Sequence, residues 1–95
     1  MIKAIQFEWD PAKAQTNLRK HRVSFEEAAT VFYDDRAILI ADPDHSNVED
    51  RFVLLGMSST MARLLVVCHS YRAHERRIRL FSARKATNSE SLQYR

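Results

Sequence analysis

The sequence predicts an α+β domain built as a short N-terminal strand and two helices, an antiparallel sheet of about four further strands, and a C-terminal helix. Three observations carry that prediction. Arg63 to Arg84, RLLVVCHSYRAHERRIRLFSAR, is a pair of apolar runs rich in branched residues around a short polar turn, which is the pattern of a β-hairpin. Ser24 and Glu27 stand in S-x-x-E spacing, with Phe25, Ala28, Ala29 and Phe32 at helical intervals. The remaining strand-like runs follow the helices instead of alternating with them, which favours α+β with the helices on one face of the sheet.

In chain order, Lys3 to Trp9 alternates well enough for a short strand, with Ile5, Phe7 and Trp9 on one side and more naturally core than a base-stacking platform. Asp10 is a suitable N-cap and Pro11 suits the first helical position, so a helix runs to about His21. Its apolar face is thin, mainly Ala14 and Leu18, which places it at the edge of the core. The Ser24 helix ends at Asp34-Asp35, and Ala37 to Ala41 reads as a buried strand. Asp42 to Asp50 clusters turn residues and is a loop. Arg51 to Met57 is the next strand, and Gly56 inside it, the only glycine, suggests a bulge or turn. In the hairpin, Leu64 to His69 is apolar on both faces, as in a central strand, with His69 where the strand leaves the core. In its second arm Ile78 and Leu80 share one face and Glu75, Arg77 and Arg79 the other. Thr87 and Glu90 form a second capping box, which predicts a final helix with only Leu92 and Tyr94 as apolar anchors.

Ninety-five residues support one domain, 1–95. The 45% apolar and 28% charged content suits a globular protein, and no run of about 18 apolar residues could span a membrane. With no signal-peptide core near the start, the cytoplasm is the expected location. Cys68, the only cysteine, cannot form an internal disulfide and reads as a small buried hydrophobe. Residues 1–62 hold 7 Lys and Arg against 10 Asp and Glu, or −3, whereas residues 63–95 hold 8 against 2, or +6. A basic C-terminal third dominated by arginine fits a polyanion such as RNA, or an acidic protein partner.

Several ordered blocks, FEWDPAKAQTNLRKH, VSFEEAATVFYDD, DPDHS, RFVLLGMSS, RLLVV and IRLFSARKAT, together resemble the BrnT family of bacterial toxins over nearly the whole chain. The Ala73-His74 turn departs from similar sequences, which often carry a glycine and an acidic residue there. The resemblance implies a RelE-like fold and an endoribonuclease, ribosome-assisted or not, that arrests growth. It also implies a BrnA antitoxin with a ribbon-helix-helix part, which neutralises the toxin and takes the complex to operator DNA.

Metal-free RNA cleavage needs a base for the ribose 2′-OH, cations for the phosphorane and an acid for the leaving 5′-oxygen. The basic hairpin offers Arg79 and Arg77 for the phosphate, Glu75 as general base and His69 as an alternative base or acid. Arg63 and Arg84 at the hairpin ends could clamp flanking phosphates, and Arg72 and Tyr71 could contact or stack on a base. Each has a structural alternative: Glu75 as a cross-strand ion-pair partner, His69 as a satisfied strand-end histidine, Arg84 as a ligand for carbonyls near the last helix. The acidic loop residues Asp42, Asp44, His45, Glu49 and Asp50 could ligate a metal but are also what a turn requires, so no metal or cofactor is expected. The competing reading of the whole chain is a non-catalytic nucleic-acid-binding or protein-interaction module using the same arginine face.

Overall fold

The computed structural model describes residues 5–41, 51–72 and 76–94. Its elements are β1 (Gln6–Glu8), α1 (Pro11–His21), α2 (Phe25–Thr30) continued by a 3₁₀ turn (Val31–Tyr33), β2 (Ile38–Ala41), β3 (Phe52–Met57), β4 (Leu64–Arg72), β5 (Arg77–Lys85) and α3 (Asn88–Gln93). They form the predicted α+β architecture around a five-stranded sheet of order β1-β5-β4-β3-β2. Strands β2 to β5 are an antiparallel meander that ends in the predicted hairpin, β4 and β5, with β4 the middle strand of the whole sheet. The sheet as a whole is mixed, because β1 runs parallel to β5, pairing Gln6 with Arg77, Phe7 with Ile78 and Glu8 with Arg79. A parallel neighbour needs a long return path, and here most of the chain lies between the two strands.

The helix boundaries follow their caps. Asp10 accepts from the Ala12 N–H at 3.0 Å and Pro11 opens α1. Arg22 ends it in the left-handed region (φ 61°) and donates its N–H to the Leu18 carbonyl. Ser24 accepts from the Glu27 N–H at 3.0 Å, which is half of the predicted box. The Glu27 side chain turns inward instead of back to the cap. Both halves of the Thr87/Glu90 box form in α3, but that helix buries none of its residues.

One sheet face packs under α1 and α2. Leu65 and Val67 from β4, Ile78, Leu80 and Ala83 from β5 and Leu54 from β3 meet Val23, Phe25, Ala28 and Val31 there. Burying each larger side chain contributes about 1.5–3 kcal/mol. Phe7 and Trp9 join this core as expected, edge-on to Phe32 at 5.4 Å and Phe25 at 5.7 Å.

Two local expectations are corrected by the tertiary structure. Gly56 makes neither bulge nor turn: it pairs regularly with Leu65, and a side chain there would stand 2.8 Å from Val31 Cγ1 and 2.9 Å from Ala37 Cβ. Its small size lets the 3₁₀ turn lie directly on β3. The strand after the helices is not a buried one, because β2 is the sheet's edge and Leu39 and Ile40 are both exposed. The bulge lies in β5: Cys68 pairs with Ser82 and His69 with Leu80, leaving Phe81 without a partner.

Of the two apolar residues expected on the inner face of α1, Ala14 packs against the core but Leu18 is exposed, and the helix's one buried residue is polar. Beyond Arg79, β5 has outrun β1, and the Asn17 amide stands in for the missing strand. Its Nδ2 donates to the carbonyls of Ala83 (2.8 Å) and Val23 (2.9 Å), and its Oδ1 accepts from the Ala83 N–H (3.0 Å). A buried backbone group without a partner costs about 1–3 kcal/mol. Asn17→Ala should therefore lower unfolding stability by about 2–3 kcal/mol in a urea titration, because it orphans buried backbone groups. A loss no larger than that of a surface change, about 0.5 kcal/mol, would refute this role.

Candidate active site

Parallel pairing with β5 brings Glu8 to the arginine face of the sheet. On β5 the residues facing away from the helices include Arg77 and Arg79, and across the hairpin Arg72 pairs with Arg77 and Ser70 with Arg79. The three arginines converge on one carboxylate. Arg79 donates from Nη1 to Glu8 Oε2 at 2.9 Å, Arg77 Nε lies 3.6 Å from Oε1 and Arg72 Nε 3.8 Å from Oε2. Arg77 also reaches Gln6 Oε1 at 3.4 Å. Only the Arg79 contact to Glu8 is a hydrogen bond. The longer separations leave the forks of Arg72 and Arg77 able to turn to another anion. Side-chain exposure follows the same order, 30% for Arg79 against 50% for Arg77 and 52% for Arg72. Arg79 is the anchored cation, and the other two form a more open rim.

Three guanidinium groups around one carboxylate leave a local surplus of about two positive charges, enough to attract a phosphodiester. Glu8 was not singled out in the sequence, because only its pairing across 71 positions with Arg79 gives it this setting.

The other sequence candidates fall elsewhere. Arg63 is committed to α2: Nε donates to Glu27 Oε2 (2.8 Å), and Nη2 donates to Glu27 Oε1 (2.6 Å) and to the Arg22 carbonyl (2.8 Å). Glu27 is buried and also accepts from the Ser58 hydroxyl at 2.8 Å. The Arg63 guanidinium holds the Glu27 carboxyl below the usual carboxylate range, against the opposing effect of burial. Removing either partner would strand a buried or half-buried charge. Arg84 grips α3, with Nη1 and Nη2 each 2.8 Å from an oxygen of Glu90. That bidentate pair brings the Glu90 carboxyl down to about 2.

His69 lies on the opposite face from Arg79. It is fully buried, not at the strand's exit, and packs edge-on to Phe32 (4.7 Å) and Tyr71 (5.2 Å). Nδ1 is 3.1 Å from the Val67 carbonyl, which can only accept, so the ring proton sits on Nδ1. Burial pushes its pKa below the ordinary imidazole value. Tyr71 shares that helix-side face and packs against the core. Glu75 and the Ala73-His74 turn lie outside the described residues, as does the acidic loop with Asp42, Asp44, His45, Glu49 and Asp50. Among the described residues no group of three or more potential metal ligands gathers, and no helix is long and apolar enough to cross a membrane.

The Arg84–Glu90 pair sets a pH dependence for the last helix. A depressed carboxyl pKa contributes stability that is full above the unfolded value, near 4.5, and is lost as pH falls toward about 2. Backbone amide signals of α3 should therefore shift and broaden between these limits, while Glu90→Gln should abolish the transition and leave α3 loosened at neutral pH. A wild-type titration as flat as the variant's would exclude the pair as the clasp.

No curated protein matches this chain. The chain does match, over residues 9–90, the family described as ribonuclease toxin, BrnT, of type II toxin-antitoxin system. The matched span takes in both helices of the N-terminal half, the whole meander and most of α3's first turn, so the chain belongs to the BrnT family of ribonuclease toxins.

Proposed function

We propose that this ribonuclease toxin is a metal-independent endoribonuclease whose working surface is the Arg72, Arg77 and Arg79 face around Glu8, and that its antitoxin is of the BrnA ribbon-helix-helix type. The convergence of three guanidinium groups on a carboxylate supplied by a parallel edge strand is the observation that carries this reading. A scissile phosphodiester would dock on the rim arginines, and Arg79 would stabilise the charge that develops on the phosphorane oxygens. Glu8, oriented by its hydrogen bond from Arg79, would take the proton of the ribose 2′-OH as it attacks phosphorus; the P–O5′ bond then breaks to leave a 2′,3′-cyclic phosphate, and the departing 5′-oxygen takes a proton from water. The family match begins at Trp9, so the role of Glu8 rests on geometry. Arg63 and Arg84 are read as framework residues, because each is already bound bidentately to a carboxylate.

Purified protein should cut a defined single-stranded RNA in EDTA. Arg79→Ala should lower the rate about 10²–10³-fold with the fold retained, and Glu8→Gln about 10²–10⁴-fold. Arg63→Ala should instead cost about 3 kcal/mol of stability. Full activity in Arg79→Ala would refute the assignment, and salt-sensitive binding without cleavage would favour a binding module. Co-expression with the neighbouring reading frame should yield a complex stable to gel filtration, and separate elution would count against the antitoxin proposal.

A further inference from the structure

We propose that the groove between α1 and β5 is a second RNA subsite, one that takes the phosphate and base of a nucleotide next to the one held at Glu8. This rests on the reading of the arginine face as the cleavage site. The groove encloses about 310 Å³ and is lined by Lys13, Thr16, Lys20 and His21 from α1 and by Phe81 and Ser82 from β5. That volume is at the small end of ligand sites and suits a single nucleotide unit.

Its chemistry is that of a single-strand binder. Two ammonium groups, an imidazole and two hydroxyls line it, and none of its described lining residues is a carboxylate. Phe81 supplies an aromatic wall, with Lys13 Nζ 5.6 Å and the Arg51 guanidinium 4.1 Å from the ring centre. Aromatic surface set among cations is how proteins hold unpaired nucleotides without reading their sequence.

The β5 bulge builds this wall. Consecutive strand residues ordinarily point to opposite faces, yet Phe81 and Ser82 both line the groove, because the register shift leaves Phe81 unpaired and re-aims it. Asn17 fixes the opposite wall, since its bonds to Ala83 hold α1 against this part of β5. Phe81 is two residues from Arg79, roughly 7 Å along the strand, so one RNA strand could span both places. Lys13 and Lys20 are exposed on α1 and neither enters the core, so removing them leaves the fold intact.

The test is binding of a 2′-O-methyl RNA octamer, which cannot be cleaved, to the full chain across a salt series. Lys13→Ala/Lys20→Ala should weaken binding about 10-fold and, with two phosphate contacts gone, flatten the log–log salt slope by about 1.4. Phe81→Leu should weaken binding without changing the slope, and Arg19→Ala, on the same helix but away from the groove, should change neither. Wild-type affinity and slope in the double lysine variant would overturn the proposal. So would a double variant that binds RNA normally but loses the antitoxin, which would assign the groove to a protein partner. Because the readout is binding, the two readings fail separately: full cleavage in Arg79→Ala with the lysine dependence of binding intact sinks the catalytic assignment alone, and loss of cleavage in Arg79→Ala with no lysine dependence sinks the subsite alone.

Discussion

The outer edge of β5 is the constraint on which the rest of this structure depends. Nine residues of strand present a row of N–H and C=O groups that must be paired, and no antiparallel neighbour follows in sequence to pair them. The chain closes that edge in two pieces. The first turn of pairing comes from β1, brought round parallel from the N-terminus, and the next from the Asn17 side chain, whose amide reproduces a strand's donor and acceptor. Both closures carry consequences beyond stability, because the first places Glu8 among the arginines and the second presses α1 against Phe81 and Ser82.

Charge is sorted on the same framework. Two arginines of the basic C-terminal third are committed to structural pairs: Arg63 neutralises buried Glu27, and Arg84 clamps Glu90. The first pair connects elements distant in sequence, α2 and the start of β4, and the second ties the end of β5 to α3, the element that follows it. The Arg63 pair also stabilises the Arg22 carbonyl at the left-handed end of α1, a conformation that costs a non-glycine residue of order 1 kcal/mol. What remains is a concentrated cationic surface at the β1 end of the hairpin, where three guanidinium groups share a single carboxylate.

Asp34 does for the far end of the sheet what Asn17 does for the near edge. Its Oδ2 accepts from the Met57 N–H (2.8 Å) and the Tyr94 hydroxyl (2.5 Å), and its Oδ1 from the Arg36 N–H (3.0 Å). Tyr94 is thereby the second anchor of a helix that buries no residue, and the hydrogen bond holds its phenol above the usual tyrosine range. The last helix is attached through polar contacts at its two ends, while the apolar core is completed without it.

The elements whose signals are local were legible in the sequence: the hairpin from its two branched apolar runs around a polar turn, α1 from Asp10-Pro11, α2 from Ser24, α3 from its Thr87/Glu90 box. The family was legible too, because ordered blocks survive as text. The candidate site was legible only in part. Period-2 alternation put Arg77 and Arg79 on one face, but it could not say that His69 and Tyr71 face the helices, since β4 is apolar on both sides and its faces are told apart only by what covers them. Nor could it find Glu8, Asn17 or the commitment of Arg63, because each is decided by a partner far away along the chain; Arg84 was legible as a neighbour of the last helix, though not that the Glu90 carboxylate is what it holds. Gly56 was conspicuous in the sequence, but its meaning came from Val31 and Ala37, which only folding brings within reach. Local propensity and periodicity determined which segments are helix and strand. Strand order, the parallel return of β1 and the pairing of charges were decided by tertiary structure, because they depend on which backbone edges and buried carboxylates remain unpaired once those segments pack.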